Sequence, residues 1–191
     1  QTVPVAILTG YLGAGKTTLL NRLLNADHQM KIAVLVNDFG AINIDARLVV
    51  GVEGETIRLS NGCICCTIRG DLVSTINNLI STDSPPDYII IESSGVSDPA
   101  QVLLTFNRSS LRAKVRIDSI IAVVDTEQFS KLGEKPQRLL REQVRVSDIV
   151  ILNNYTDIRD IQMPEEGCST VAFNANNSHI SGQTWDMHKS A

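Results

Sequence analysis

The sequence predicts an α/β fold, in which a mostly parallel, twisted sheet is flanked by helices. Short apolar runs alternate along the chain with segments of helical periodicity, and the runs are apolar almost throughout rather than at every second residue. Strands that are buried on both faces of a parallel sheet have this composition. With 191 residues, of which 43% are hydrophobic, the chain is large enough to bury one sizeable core.

Strands and helices follow each other in turn as far as Asn153. The predicted strands are the apolar runs at 3–8, 31–37, 87–92, 118–125 and 148–153. Helical spacing of apolar residues predicts one helix that begins near Lys16 and others at 68–80, 100–106 and 134–147. Pro99, directly after Asp98, is a favoured first residue for the third helix. We predict one domain over residues 1–160, and an irregular tail or truncated linker over the polar stretch 161–191.

Charge and composition argue against several classes of protein. The net charge of −4 disfavours a broad nucleic-acid-binding face, and no apolar run approaches the roughly 20 residues that span a bilayer. The opening residues, QTVPVAILTG, lack the basic segment of a signal peptide, so we interpret them as a first strand. The four cysteines make a poor disulfide framework, which favours a reducing, cytoplasmic compartment. We expect no nucleic-acid or membrane partner.

Residues 10–17, GYLGAGKT, fit the pattern GxxxxGK[ST] of a phosphate-binding loop, between a predicted strand and a predicted helix. Backbone N–H groups of such a loop point at phosphate oxygens, Lys16 would reach the β- and γ-phosphates, and Thr17 would be a Mg²⁺ ligand. A chance glycine turn and a dinucleotide-binding turn are the alternatives, and Thr18 stands where the latter requires its third glycine. The predicted nucleotide-binding residues of the loop are Gly10, Gly13, Ala14, Gly15, Lys16, Thr17 and Thr18.

Two further segments carry carboxylates that would act with this loop. The apolar strand in DYIIIESSG (87–95) ends in Glu92, where a phosphate-loop protein needs an acid to hold Mg²⁺ or its water. Gly95 would let a backbone N–H approach a γ-phosphate. In NDFGAINID (37–45), Asp38 would engage Mg²⁺ or the attacking water. Each acid also has a plainer interpretation, a solvated strand end for Glu92 and an Asn-Asp turn for Asp38.

Cysteines are concentrated in the stretch NGCICC (61–66), which holds Cys63, Cys65 and Cys66. Thiolates bind soft and borderline metal ions, and zinc favours tetrahedral sites of sulfur and nitrogen ligands. Three local ligands leave a fourth position for water, another side chain or a partner, which suits an exchangeable ion better than a structural one. A redox pair and buried structural thiols are the alternatives.

Together these motifs resemble the CobW-like metallochaperone GTPases, a branch of the phosphate-loop NTPases with a Rossmann-like architecture. The resemblance implies a slow GTPase that binds GTP or GDP with Mg²⁺, holds Zn²⁺ or Co²⁺ at the three cysteines, and delivers the metal to a client metalloprotein. It implies functional roles for Lys16 and Glu92, and it leaves a homodimer open; with Asp38, proposed above from its position after the second strand, these are the predicted catalytic residues. The smaller C-terminal domain of the family is expected to be absent. The matching segments are TGYLGAGKTTLLNRLL (9–24), NDFG..NID (37–45), LSNGCICCTIRGDL (59–72), IIIESSGVSDP (89–99), IIAVVD (120–125) and EQVRVSDIVILN (142–153).

The sequence departs from the family pattern at two places. Ala41 stands where the family usually has Glu, which removes an acidic group near the metal or Mg²⁺. The base-reading motif, Asn-Lys-x-Asp, is altered to the stretch LNNYTD. Read back from Asp157, the motif begins at Asn154 and has Tyr155 in place of Lys; read forward from the strand, Asn153 is the Asn and the Asp comes one residue late. Asn154 and Asp157 are the predicted guanine-binding residues, and a helix-capping turn is the alternative.

Two other functions are compatible with the motifs. One is a metal or redox sensor linked to nucleotide state, and the other is a phosphate-loop kinase acting on a small molecule. The kinase would need a lid and an acceptor pocket, for which no segment is evident. Arg69 is the one loose candidate for an arginine finger, so slow intrinsic turnover is expected.

Overall fold

The computed structural model describes most of the chain. The predictions made for Asp38, Ala41, Cys63, Arg69 and Asp157 lie outside the described residues. The described residues are 2–27, 29–36, 49–53, 56–59, 64–67, 72–96, 99–108, 110–154, 169–173 and 180–183.

Strands and helices account for most of these ranges. The strands are β1 (Val3–Thr9), β2 (Ile32–Val36), β3 (Val49–Glu53), β4 (Thr56–Leu59), β5 (Ile64–Thr67), β6 (Tyr88–Glu92), β7 (Val115–Asp125), β8 (Ile149–Asn153), β9 (Ser169–Phe173) and β10 (Ile180–Gln183). The helices are α1 (Lys16–Asn25), α2 (Leu72–Ile80), α3 (Pro99–Arg108), α4 (Thr126–Phe129) and α5 (Glu134–Arg145), with a short 3-10 helix at Ser110–Ala113. No helix in this part of the chain has the length and apolar character needed to cross a membrane.

The described strands form one sheet in the order β10-β9-β8-β7-β1-β6-β2-β5-β4-β3. From β9 across to β5, neighbouring strands pair in parallel. The remaining strands, β10 at one edge and β4 and β3 at the other, are antiparallel. The prediction of a mostly parallel sheet is therefore confirmed. Because β1 lies between β6 and β7, the loops that leave the carboxyl ends of these three strands meet at one edge of the sheet.

Helices cover both faces of the sheet, which explains the continuous apolar strands. All five residues of β2 are buried. Ala33 and Leu35 pack in one cluster with α2 and α3, whereas Val34 and Val36 pack in another with α1. A third cluster joins β7 and β8 to α5 through Leu140. The sheet is a rigid support for the loops at its carboxyl edge.

The strands and helices that periodicity predicts up to Asn153 are all present, within a few residues of their expected ends. Helix α3 begins at Pro99, as predicted. Strands β3, β4 and β5 were not predicted, and neither was the short helix α4. Strands β9 and β10 lie within the stretch 161–191, where we expected an irregular tail; β9 pairs in parallel with β8, and β10 pairs with β9. These strands have four or five residues each, too few for a clear periodic signal.

Candidate functional site

The candidate site lies at the carboxyl edge of the sheet, where β1 and β6 end side by side. Leu8 is paired with Glu92, so the residues that follow each strand are neighbours in space. The Ser93 backbone N–H donates to the Leu8 carbonyl at 2.9 Å, and its side-chain hydroxyl donates to the same oxygen at 3.2 Å. These bonds fix the segment after Glu92 against the start of the phosphate loop.

Glycine is required in the phosphate loop because of both backbone conformation and close contacts. Gly10 has φ 139° and Gly15 has φ 104°, values that other residues rarely adopt. A methyl group at Gly10 would lie 2.2 Å from the Val123 carbonyl oxygen, and one at Gly15 would lie 2.6 Å from the side-chain nitrogen of Asn153. The loop therefore curls tightly against β7 and β8, with the concave form that a phosphate group requires.

Lys16, the first residue of α1, is buried with 7% of its surface exposed. Its ammonium donates to the Gly10 carbonyl at 2.8 Å and to the Tyr11 carbonyl at 3.3 Å. Burial lowers the pKa of Lys16 below its ordinary value, and the negative charge of Glu92 opposes this shift only in part. The side chain is thus held within the loop, where an anion would supply the negative charge that Glu92 provides only in part.

Thr17 and Glu92 come together on the α1 side of the loop. The Thr17 hydroxyl donates to a carboxylate oxygen of Glu92 at 3.4 Å. Hydroxyl and carboxylate oxygens are the ligands that Mg²⁺ prefers, and neighbouring ligands of an octahedral ion with bonds of about 2.1 Å lie roughly 3 Å apart. The two oxygens present therefore fit a shared magnesium ion.

Gly95, in the segment that follows β6, approaches the tip of the phosphate loop. A methyl group at Gly95 would lie 2.7 Å from the Leu12 backbone nitrogen and 2.9 Å from its Cδ2. Only glycine allows this approach without a shift of the loop. The structure thus brings Gly95 against the phosphate loop, and the approach of its backbone N–H to a γ-phosphate stays a prediction.

The end of β8 borders the phosphate loop and carries the segment predicted to bind the base. Asn153 donates from its side-chain nitrogen to the Ala14 carbonyl at 3.1 Å, so it contacts the phosphate loop directly. Asn154 turns away: its backbone has φ 55°, and its side chain donates to Asp125 at 2.9 Å. Of the two ways to align the altered motif, the geometry brings Asn153 rather than Asn154 to the loop.

Two of the three clustered cysteines lie in β5. Cys65 is paired with Val34 of β2, and Cys66 is paired with Leu35. Within the described ranges, which leave out Cys63, no three His, Cys, Asp or Glu residues come together in a way that could hold a metal ion. The metal-binding role of the three cysteines therefore stays a prediction.

Sequence reasoning missed the contributions of Asp125 and Gln128. Asp125 ends β7 and caps α4 by accepting from the Gln128 backbone N–H at 2.9 Å. A methyl group at Gly13 would lie 3.1 Å from the side-chain nitrogen of Gln128, so this side chain also borders the phosphate loop. The position of Asp125 could have indicated its role: it is an acid at the end of β7, the strand next to β1, and the carboxyl ends of such strands meet where ligands bind.

Comparison with protein families identifies the domain. Residues 4–176 match the family described as "CobW/HypB/UreG, nucleotide-binding domain". A zinc chaperone CobW from Sinorhizobium sp is 32% identical, over 83% of this chain and 52% of that protein. A zinc-regulated GTPase metalloprotein activator 1 from Dictyostelium discoideum is 36% identical, over 80% of this chain and 40% of that protein. The chain thus spans about half the length of the curated relatives it matches.

Solved structures agree with this assignment. The Zn(II)-bound YjiA GTPase from E. coli superposes with a TM-score of 0.62 at 32% identity, over 81% of this chain and 50% of that one. A Zn(II)-bound triple mutant of YjiA, in which one glutamate and two cysteines are replaced by alanine, gives a TM-score of 0.67 at 28% identity, over 95% of this chain and 60% of that one. With its phosphate loop, parallel sheet and matched sequence, the chain belongs to the CobW/HypB/UreG family of nucleotide-binding domains.

Proposed function

We propose that this domain binds and slowly hydrolyses GTP, and that nucleotide state controls zinc held at Cys63, Cys65 and Cys66 for delivery to a client metalloprotein. The relatives named as a zinc chaperone, a zinc-regulated GTPase and a Zn(II)-bound GTPase support the GTPase, zinc-binding and chaperone parts of this proposal. They favour it over the small-molecule kinase and over a sensor that delivers nothing.

The register of the sheet is the observation that carries the proposal. Cys66 is paired with Leu35, which is paired in turn with Ile91, the residue before Glu92. Two strand spacings separate the Cys66 and Ile91 backbones, a distance of about 10 Å. Thr17 contacts Glu92 on the same edge of the sheet. A change around Glu92 on hydrolysis therefore has a short, rigid route to the cysteine segment.

The residues of the phosphate loop would bind the nucleotide mainly through charge and backbone hydrogen bonds. Lys16 would exchange part of its bonding to the Gly10 and Tyr11 carbonyls for phosphate oxygens. The backbone N–H groups of the loop, together with the amino end of α1, would bind the remaining oxygens. Asn153 would take the place of the asparagine of the base motif, and Asp157 would accept from the guanine base.

Thr17 and Glu92 would hold Mg²⁺. When bound, Mg²⁺ neutralises charge that develops on the β- and γ-phosphates. Glu92 would also orient the attacking water, with Asp38 as a second acid for that role. Gly95 would bring a backbone N–H close to the γ-phosphate, so that loss of this phosphate releases the segment after β6.

Zinc is the proposed cargo, and Co²⁺ is the alternative that thiolate ligands also allow. A YjiA variant in which two cysteines are replaced by alanine is still Zn(II)-bound, so zinc binds that relative at residues other than those two cysteines. Metal measurements on this chain therefore need cysteine variants as a reference. Free thiolates favour a reducing compartment, and we propose the cytoplasm. We also propose that a second copy of this chain is a partner in addition to the client protein, so that the domain forms a homodimer.

Glu92→Gln is expected to lower the rate of GTP hydrolysis by about 100-fold and to weaken its dependence on Mg²⁺. The amide preserves the shape of the side chain but removes the negative charge beside Thr17. GDP affinity should change by less than about threefold, because the phosphate contacts of Lys16 remain. Single-turnover hydrolysis and GDP titration, each over a range of Mg²⁺ concentrations, measure these quantities.

Glu134→Gln is the matched control, since Glu134 is exposed at the start of α5. It removes the same charge and should leave both measurements unchanged. Hydrolysis by Glu92→Gln at the wild-type rate would overturn the assigned role of Glu92. Failure of the wild-type protein to bind any guanine nucleotide would overturn the proposed function itself.

A further inference from the structure

A small polar cluster connects the ends of β7 and β8 to the phosphate loop. Its members are paired or joined by hydrogen bonds across the two strand ends. Asp125, the last residue of β7, lies opposite Asn153, the last residue of β8. We call these residues the Asp125 cluster: Asp125, Thr126, Gln128, Asn153 and Asn154.

Asp125 holds the backbone at Asn154 in an unusual conformation. Asn154 has φ 55°, in the left-handed region that most residues avoid, and its side chain donates to one carboxylate oxygen of Asp125 at 2.9 Å. The other carboxylate oxygen accepts the Gln128 N–H at 2.9 Å. The Thr126 hydroxyl lies 3.0 Å from the Asn154 carbonyl and 3.4 Å from that of Asn153. The turn at Asn154 is therefore held by hydrogen bonds to both the side chain and the backbone of this residue.

The same turn directs Asn153 at the phosphate loop. The residue next to a fixed left-handed turn has a fixed direction, and the Asn153 side-chain nitrogen donates to the Ala14 carbonyl at 3.1 Å. Gly15 has no side chain where this nitrogen approaches, since a methyl group there would lie 2.6 Å away. Gln128, from the opposite end of the cluster, borders Gly13. The cluster thus packs against two of the loop glycines.

The amide of Asn153 is not fully bonded among the described residues. Its side-chain oxygen is buried and has no hydrogen-bond partner within that part of the chain. A buried polar atom without a partner is costly, so such atoms usually face a ligand or water. The amide nitrogen of Asn153 is bonded to the phosphate loop, and the amide oxygen can still accept a hydrogen bond.

We propose that Asp125 is a positioning residue for the base end of the nucleotide site. It acts through Asn154: the Asp125 carboxylate stabilises the left-handed turn, and the turn sets the Asn153 amide against the phosphate loop, ready for a purine base. The proposal rests on the proposed function, because it assumes that a nucleotide binds at this loop. The proposed function is tested by whether the wild-type protein binds GDP at all, whereas the role of Asp125 is tested by the affinities of variants relative to wild type.

Asp125→Ala is expected to weaken GDP and GTP binding by about five- to tenfold, the cost of a left-handed turn that has lost its stabilising bond. The single-turnover rate at saturating GTP should change less than twofold, because Lys16, Thr17 and Glu92 lie outside the Asp125 cluster. Isothermal titration with GDP and single-turnover hydrolysis of GTP provide the two values. Ser130→Ala, at the exposed end of α4, is the control and should leave affinity unchanged.

Asp125 both stabilises the turn at Asn154 and caps α4, and a glycine at position 154 distinguishes these two roles. Glycine adopts a left-handed conformation without strain, so it restores the turn without restoring the cap. Asn154→Gly in the Asp125→Ala background should restore most of the lost affinity. If the double variant binds as weakly as Asp125→Ala, Asp125 acts through the α4 cap and the proposal is overturned. If Asp125→Ala binds as tightly as wild type, the proposal also fails.

A second pair of variants keeps Asp125 and the α4 cap, in case Asp125→Ala does not fold. Asn154→Ala should bind GDP about five- to tenfold more weakly than Asn154→Gly, because alanine opposes the left-handed turn. Equal affinities of the two variants would overturn the proposal. A wild-type protein without affinity for GDP would instead overturn the proposed function, whatever the variants do.

Discussion

Replacing Lys16 with alanine is expected to weaken the binding of GTP and GDP by about two orders of magnitude and to abolish measurable hydrolysis. Lys16 is the buried cation of the loop, and its ammonium already lies within hydrogen-bond distance of the Gly10 carbonyl. A charge-assisted hydrogen bond to phosphate contributes roughly 1.5–3 kcal/mol, and Lys16 would make contacts with two phosphates. Fluorescence titration with GDP and a phosphate-release assay measure the two effects.

Lys135→Ala is the control for this experiment, since Lys135 is exposed on α5 and its substitution removes the same charge. It should leave affinity and hydrolysis unchanged. The thermal unfolding curve of Lys16→Ala should remain cooperative, because the substitution leaves the glycine backbone of the loop intact. A folded Lys16→Ala protein that bound GDP within a few fold of wild type would mean that the nucleotide is held elsewhere.

Gly10→Ala is expected to lower the free energy of unfolding by about 3–5 kcal/mol. Two costs add at this position. The φ of 139° is a conformation that L-residues rarely adopt, and the new methyl group would lie 2.2 Å from the Val123 carbonyl oxygen. Gly10 and Val123 are both buried, so neither backbone can shift cheaply at this contact. Urea denaturation followed by circular dichroism measures the change.

Gly133→Ala provides the matched comparison. Gly133 has φ −69°, and a methyl group there would meet no atom within 4 Å. The substitution restricts the unfolded chain but replaces the N-cap glycine of α5, so these opposing effects are expected to leave the free energy of unfolding within about 1 kcal/mol of wild type. If Gly10→Ala were as stable as Gly133→Ala, the tight packing of the phosphate loop against β7 would be wrong.

The central part of the fold could be predicted from the sequence because its local and tertiary signals agree. The run IAVLV of β2 is apolar at every position, and both faces of that strand are covered. The Lys16 and Thr17 positions follow from a motif whose spacing is fixed by phosphate geometry. Glu92 follows from the same logic, since it ends the strand beside β1.

The rest of the site could not be predicted from the sequence, for identifiable physical reasons. Asn153 and Asn154 are identical side chains in adjacent positions, and only the left-handed turn at Asn154 decides which one contacts the loop. Asp125 acts on a residue that is 29 positions away in sequence, through a bond that no local pattern reveals. Strands β9 and β10 are short, and their pairing partners rather than their own periodicity define them.

The most direct test of the central claim is the affinity for Zn²⁺ measured by competition titration with Mg-GTP, with Mg-GDP and without nucleotide. Wild type and Cys65→Ser should be compared, so that zinc bound at other residues is subtracted. Coupling through the sheet predicts an affinity in Mg-GTP about tenfold or more above that in Mg-GDP, and loss of this difference in Cys65→Ser. Equal zinc affinity of the wild type in all three nucleotide states would contradict the account.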